Sequence, residues 1–326
     1  MASFHTAPQT SSGVQVTGVG LAGGEHLTAD LVVVAGGRSA LSAQVPGLHD
    51  APRTDRNDPG FRYYTRHFRR SDGNLPEPAP WPLRHHAGVS VIVVPGDSGT
   101  WSTTLVTSGA DQQLRGLGRA DTWQRVAELY PGLAPWIQGE PVGEVVTMGG
   151  LRSSRPPLAR TARTPLSGLV MLGDAWATTN PQFGLGISLG LLHARLLRDV
   201  LRAQDRPTAL TASFQSNMEQ LTPLYLGLSE WEAHRQAEIQ ADMRGSIYRT
   251  PDPAWKQHLA GRFAGMHDAD VMRGLADIGF LLADARKVMQ RPGLLARLSQ
   301  VAAQAPSQPE GPSRRTVLAA AELRAA

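Results

Sequence analysis

A chain of 326 residues, 41% hydrophobic and 18% charged, has room for two or three domains and a large apolar core, and this composition excludes a disordered chain. The net charge is +4, and the arginines that carry it are scattered, with RHFRR at 66–70 the densest group; a nucleic-acid face would gather them on one element, so no nucleic-acid partner is expected. There is no cysteine, which excludes disulfides, thiolate metal sites and cysteine nucleophiles.

The opening residues show no cationic segment followed by an apolar one, and no apolar run approaches the ~18 residues that span a bilayer. The expectation is a cytoplasmic protein with no membrane span. Gly18-Val19-Gly20-Leu21-Ala22-Gly23 then spells the Gly-x-Gly-x-x-Gly fingerprint of dinucleotide-binding folds. A strand enters it, through Val14, Val16 and Val19, but no helix leaves it. Seven residues, 24–30, separate it from the next apolar run, Leu31 to Val34, whereas a parallel crossover needs about a dozen. The spacing predicts a hairpin, and no acidic residue follows at the distance that would take a ribose hydroxyl. Leu31 to Val34 reads as a strand buried on both faces, ending at Gly36-Gly37-Arg38-Ser39. That is where α/β sheets hold ligands.

Residues 60–150 read as sheet. FRYYTRHFR at 61–69 alternates as a strand, and VSVIVVPGDSGTWSTTLVTS at 89–108 is a hairpin turning at Pro95-Gly96-Asp97. DTWQRVAELYPGLAPWI predicts a helix with Asp121 as its N-cap, ending near Pro131-Gly132. The GEVVTMGGLRSSRPP segment then returns as a strand. His85 and His86 are adjacent, so on a strand they point oppositely, and no metal site is expected. Ser153 and Ser154 lack a nucleophile-elbow motif, so a hydrolase triad is not supported.

Residues 168–204 carry the strongest chemical pattern. Leu169 to Leu172 form a short strand closed by Gly173-Asp174; an irregular loop with Asn180-Pro181 follows; Gly184 and Gly186 open a helix whose apolar face is predicted at Ile187, Leu189, Leu192, Leu196 and Val200. Asp174 can accept hydrogen bonds from sugar-alcohol hydroxyls, and the glycines let backbone amides approach an anion or a flat ring. A nucleotide-type site and a plain loop-to-helix junction both fit at this point. Further on, 208–244 reads as one or two helices, 268–290 and 293–304 as amphipathic helices, and 305–315 as a flexible segment.

The stretch from Gly173 to Ile187 resembles the GD motif of FAD-dependent oxidoreductases of the p-hydroxybenzoate-hydroxylase type, the group A flavin monooxygenases. It matches at Gly173, Asp174, Ala175, Pro181, Gly184 and Gly186. Residues 31–39 occupy the place of the family's Asp-Gly-Arg motif, with Gly36 where the Asp stands. Trp176 and Ala177 stand where the family commonly has a His. The resemblance runs from the hairpin onward, without the family's N-terminal glycine-fingerprint βαβ unit. It implies a mixed α/β fold: a partial three-layer FAD-binding domain with an inserted β-sheet substrate domain and a helical C-terminal region. The implied division is a remnant of the FAD-binding domain at 1–59, substrate-domain sheet at 60–150, the GD motif and its helix at 151–205, a helical region at 206–304 and a flexible tail at 305–326.

The resemblance further implies FAD, bound through Gly173, Asp174, Pro181, Gly184, Gly186, Ile187 and Arg38, with NADH or NADPH as reductant. It implies oxygen transfer to a small organic substrate through a flavin hydroperoxide, so that the chemistry is flavin-borne and no catalytic side chain is named. Substrate-wall candidates are Tyr63, Trp101 and Trp176, with Arg62, Tyr64 and Arg66 beside them, although strand aromatics are more often core. A homodimer is a possible assembly. The alternatives are a truncated or degenerate homologue that binds no flavin and acts as an interaction protein, and a flavin-dependent reductase of an isoprenoid-like double bond. A halogenase is disfavoured, because neither Lys256 nor Lys287 falls in the substrate-domain sheet.

Overall fold

The computed structural model describes residues 3–7, 14–38, 59–77, 83–155, 166–204, 207–304 and 311–322. The chain divides into two units, Met1–Asn57 with Arg152–Glu230, and Asp58–Leu151 with Trp231–Ala326. Ser39 and residues 305–310, which figured in the sequence reading, lie outside the described residues.

In the first unit the glycine fingerprint is a hairpin. Strand Val14–Gly20 pairs antiparallel with His26–Thr28, and its other edge takes Ser3–Thr6. A Cβ on Gly18 would lie 2.1 Å from the Leu27 carbonyl oxygen, so glycine here serves the close cross-strand approach. The hairpin partner differs from the expected one: it is His26–Thr28, not the run at 31–34. That run, as Val32–Val34, pairs in parallel with Leu169–Met171, in the register Val32 to Leu169 and Val34 to Met171. The parallel pairing agrees with the α/β reading. Burial on both faces does not: Val34 is buried and Val33 is 43% exposed, because successive residues face opposite ways and no described element covers the Val33 side. Behind this pair come helices Gly186–Ala203, Pro207–Glu219 and the first turns of Thr222–Met243.

The second unit is built on a five-stranded antiparallel sheet in the spatial order Leu83–His85, Ser90–Pro95, Thr100–Ser108, Phe61–Arg69, Glu140–Leu151. Alternation sorts its side chains. Tyr64, Phe68, Trp101 and Leu105 face a core with Leu114, Leu117, Trp123 and Val126, while Phe61, Tyr63 and Val106 pack with Ile239 on the other side. Each large apolar side chain so enclosed contributes roughly 1.5–3 kcal/mol. The Trp101 indole N–H donates to the Trp136 carbonyl over 2.9 Å and the Trp123 N–H to the Tyr64 carbonyl over 2.8 Å, which removes the polar cost of burying them. Glu140–Leu151, where a returning strand was expected, is an edge strand of this sheet.

Helix Ala120–Ala127 starts two residues earlier than predicted. Arg119 is its N-cap and Asp121 sits in the first turn, where it pairs with Arg119 and Arg125 instead of capping. The helical region expected at 206–304 divides after Glu230. Within it, 268–290 is two helices, Ala269–Gly279 and Ala285–Met289, parted by a break at which Leu281 takes φ 59°. The expected flexible tail contains helix Arg314–Glu322, which buries Val317, Ala320 and Ala321 in the core around Trp123. Among the described residues no helix is long and apolar enough to cross a membrane.

Candidate functional site

The parallel pair places two turns at one edge of the first unit. After Val34 comes Gly36-Gly37-Arg38, with Gly37 at φ 77°, and after Met171 comes Gly173-Asp174, with Gly173 at φ 55°. The ladder ends where Leu172 N–H donates to the Val34 carbonyl over 2.9 Å. Gly173 then opens a single 3₁₀ turn, Gly173–Ala175. Partial burial pushes the Asp174 carboxyl up, and the positive charge of Arg38 pulls it the other way.

The loop is anchored from Trp176 onward. Thr178 exchanges backbone hydrogen bonds with Ser154, at 2.9 and 2.8 Å. The Ser153 hydroxyl accepts from the Asn180 N–H, and the Asn180 carboxamide oxygen accepts from the Gln182 N–H, capping the turn Pro181–Phe183. Gly184 closes that turn at φ 65°, a conformation costly for a residue with a Cβ. Helix Gly186–Ala203 follows from Leu185, which offers no side-chain cap, so its first N–H groups stay available to a ligand.

Exposure sorts this loop by role. Asp174, Pro181, Gly184, Gly186 and Ile187 are exposed, Ile187 to 82%, and so is Arg38. Between them Ala175, Trp176, Ala177, Thr178, Thr179, Asn180, Gln182 and Leu185 are buried. Of the residues singled out for a cofactor, the six exposed ones are presented outward, while Gly173 is half-buried; the buried residues between them hold the loop. A Cβ built on Gly186 meets nothing within 4 Å, which leaves room for a ligand against the backbone there.

Trp176 points inward. The Arg155 guanidinium lies 4.3 Å from its ring centroid, and Tyr225 and His193 meet it edge-on at 5.0 and 5.5 Å. Arg155 is itself held by Glu219 and Thr222. Burial and the Asp174 charge push the Tyr225 phenol up. Among the described residues neither the Tyr225 hydroxyl nor either end of the buried Gln182 carboxamide has a hydrogen-bond partner; a buried polar group left so costs about 1–3 kcal/mol.

Two wall candidates are core residues of the second unit. Trp101 is 1% exposed and stacks on Phe68, and Tyr63 is 2% exposed on the opposite face of the sheet, so the two share no wall. Arg66 lies over Phe68 and Trp123 and donates to Gln124, while Tyr64 is 1% exposed. The sheet presents instead Val94, Val142, Val146 and Met148, between 43% and 53% exposed, beside a Thr65–Thr104 hydroxyl pair at 2.9 Å. Buried His85 bonds Ser90 Oγ at 2.7 Å. Among the described residues no three His, Asp or Glu are grouped to hold a metal ion.

The sequence reading missed His193. It is fully buried on the helix face with Leu189, Leu197 and Val200, and its Nδ1 accepts the Gly173 N–H over 2.9 Å. The available signal was a lone imidazole in an otherwise apolar stripe.

The donor set is compatible with the flavin that the GD-motif resemblance implies: an exposed carboxylate that can accept from hydroxyls, and side-chain-free backbone at Gly184 and Gly186 beside helix-start amides that no side chain caps. No protein-family model matches the chain. Kynurenine 3-monooxygenase of Neurospora crassa is 28% identical over 188 residues, covering 52% of this chain and 35% of that protein. A variant of HpxO from Klebsiella pneumoniae, solved with FAD, superposes with a TM-score of 0.55 at 18% identity, over 85% of this chain and 67% of its own. PqsL of Pseudomonas aeruginosa, a probable FAD-dependent monooxygenase, gives 0.50 at 18% identity, over 73% and 63%. The chain thus spans about a third of the curated relative. Its fold is that of FAD-dependent monooxygenases, the mixed α/β architecture that the GD motif implied.

Proposed function

We propose that this chain is an FAD-dependent oxidoreductase, most like a monooxygenase acting on a small organic molecule. The observation that carries the reading is the sorting of residues 173–187, in which Asp174, Pro181, Gly184, Gly186 and Ile187 are exposed while Ala175 to Asn180, Gln182 and Leu185 are buried. Asp174 accepts hydrogen bonds from the ribityl hydroxyls. Pro181 and Ile187 give the ring apolar contact, Gly184 and Gly186 let backbone reach it, and Arg38 adds positive charge beside Asp174. Bound there, FAD would supply two-electron redox chemistry with dioxygen; the protein's part is to bind, orient and exclude water.

Kynurenine 3-monooxygenase and the FAD-complexed HpxO support the class of chemistry. NADH or NADPH as reductant, a cytoplasmic setting and a homodimer rest on the family resemblance. The test is the visible spectrum of the purified chain before and after added FAD. Flavin absorbance that stays with the protein through gel filtration is the expected result, and a colourless protein that takes up no FAD overturns the reading.

A further inference from the structure

Strand Leu169–Met171 runs out of ladder partners at Leu172, whose N–H takes the Val34 carbonyl. The next backbone donor is the Gly173 N–H, and it points at His193 Nδ1, 2.9 Å away on helix Gly186–Ala203. Since the backbone nitrogen can only donate, Nδ1 must be the unprotonated nitrogen and the ring's proton sits on Nε2. His193 has no solvent exposure, and its ring is held edge-on against Trp176. The neighbouring residues of its stripe, Leu189, Leu197 and Val200, are apolar. A buried imidazole among them costs free energy unless its acceptor is used, and the bond to Gly173 is the use the structure gives it.

We propose that His193 is a positioning residue: by accepting the Gly173 amide it fixes the turn that aims the Asp174 carboxylate at its ligand. The inference rests on the reading of Asp174 as a flavin-hydroxyl acceptor and adds a residue two helical turns into Gly186–Ala203. Burial pushes the imidazole down to about 4, so the acceptor is intact at every pH near neutral. Trp176, packed between His193 and Tyr225, carries the constraint from the turn into the loop that follows.

The experiment compares the full chain with His193→Asn and His193→Leu. Asparagine can place its carboxamide oxygen where Nδ1 stood; leucine fills the space without an acceptor. Amide exchange of the 169–178 segment, read without FAD, is expected to quicken about tenfold in the leucine variant and to stay near wild type in the asparagine variant. FAD affinity, from flavin fluorescence titration, should weaken about tenfold with leucine and recover with asparagine. Wild-type exchange and affinity in the leucine variant overturn the role of His193. Failure of the wild type itself to bind FAD overturns the flavin reading instead, and the exchange comparison still decides whether His193 holds the turn. If the leucine chain does not fold, the ¹⁵N shifts of His193 in the wild type decide: an unprotonated Nδ1 at neutral pH is expected, and a protonated one overturns the proposal.

Discussion

Arg314 closes a two-pronged ion pair on Asp111, Nη1 to Oδ2 over 2.8 Å and Nη2 to Oδ1 over 3.0 Å, with side chains 11% and 0% exposed. Asp242 lies 3.7 Å from the same guanidinium. The pair docks helix Arg314–Glu322 on the second unit. Replacing Arg314 with alanine leaves a buried carboxylate whose charge is uncompensated, so Arg314→Ala is expected to cost about 3 kcal/mol. Urea unfolding followed by tryptophan fluorescence measures it. A loss under about 0.5 kcal/mol would show the helix to be loosely held.

The same helix shows where sequence reading stops. Composition marks 305–315 as a Pro- and Ser-rich segment, and nothing local distinguishes the helix behind it from a tail; Val317, Ala320 and Ala321 make a face only because the core around Trp123 receives them. By contrast Phe61–Arg69 and the hairpin of Ser90–Pro95 with Thr100–Ser108 were legible, because period-two alternation is set within each strand. The GD turn was legible because glycine, aspartate and proline fix backbone geometry locally. His193 was not. In the run LLHARLL two leucine doublets let the apolar face sit at 192 and 196 or at 193 and 197, and counting histidine as polar turns the face one residue away from the buried set. Exposed Ile187 was read into that face for the same reason.

Asp174 is exposed and its carboxylate supports no other part of the turn by a side-chain bond among the described contacts, so stability and binding separate at this residue. Asp174→Ala is expected to leave the melting temperature within about 2 °C of wild type. FAD affinity should fall roughly tenfold or more, the value of one or two hydrogen bonds to a charged group. Calorimetry and flavin fluorescence titration give the two numbers, and an unchanged affinity would remove Asp174 from the site.

Acid should weaken the first unit through His193. Burial lowers the folded-state value to about 4 from 6.5, so as pH falls the unfolded chain takes up the proton first. Its contribution to stability is therefore full above about pH 6.5, falls through the window down to about 4, and amounts to at most about 3 kcal/mol. His85, also pushed well below its usual value by burial, acts with the same sign in the second unit. His193→Asn isolates the first effect: its stability relative to wild type should improve as pH drops from 7 to 4.5. Denaturant melts at several pH values test this, and parallel pH curves for the two chains would assign the acid loss elsewhere.

Gly186 offers the sharpest separation of fold from ligand. It occupies the first position of helix Gly186–Ala203, has no strained φ, and a Cβ there meets nothing within 4 Å. Alanine therefore fits the backbone and restricts the unfolded chain, so Gly186→Ala should raise stability by about 0.4–1 kcal/mol. A longer side chain would still find open space in the free protein, yet it would stand where the flat ring must approach the helix-start amides. Gly186→Leu is thus expected to melt within a degree or two of wild type while losing FAD at least tenfold. Gly184→Leu is the counterpart: at φ 65° it strains the turn by about 1–2 kcal/mol before any ligand arrives. Thermal melts with and without FAD distinguish the pair. Full FAD stabilisation of Gly186→Leu would mean that the ring does not lie against this helix start.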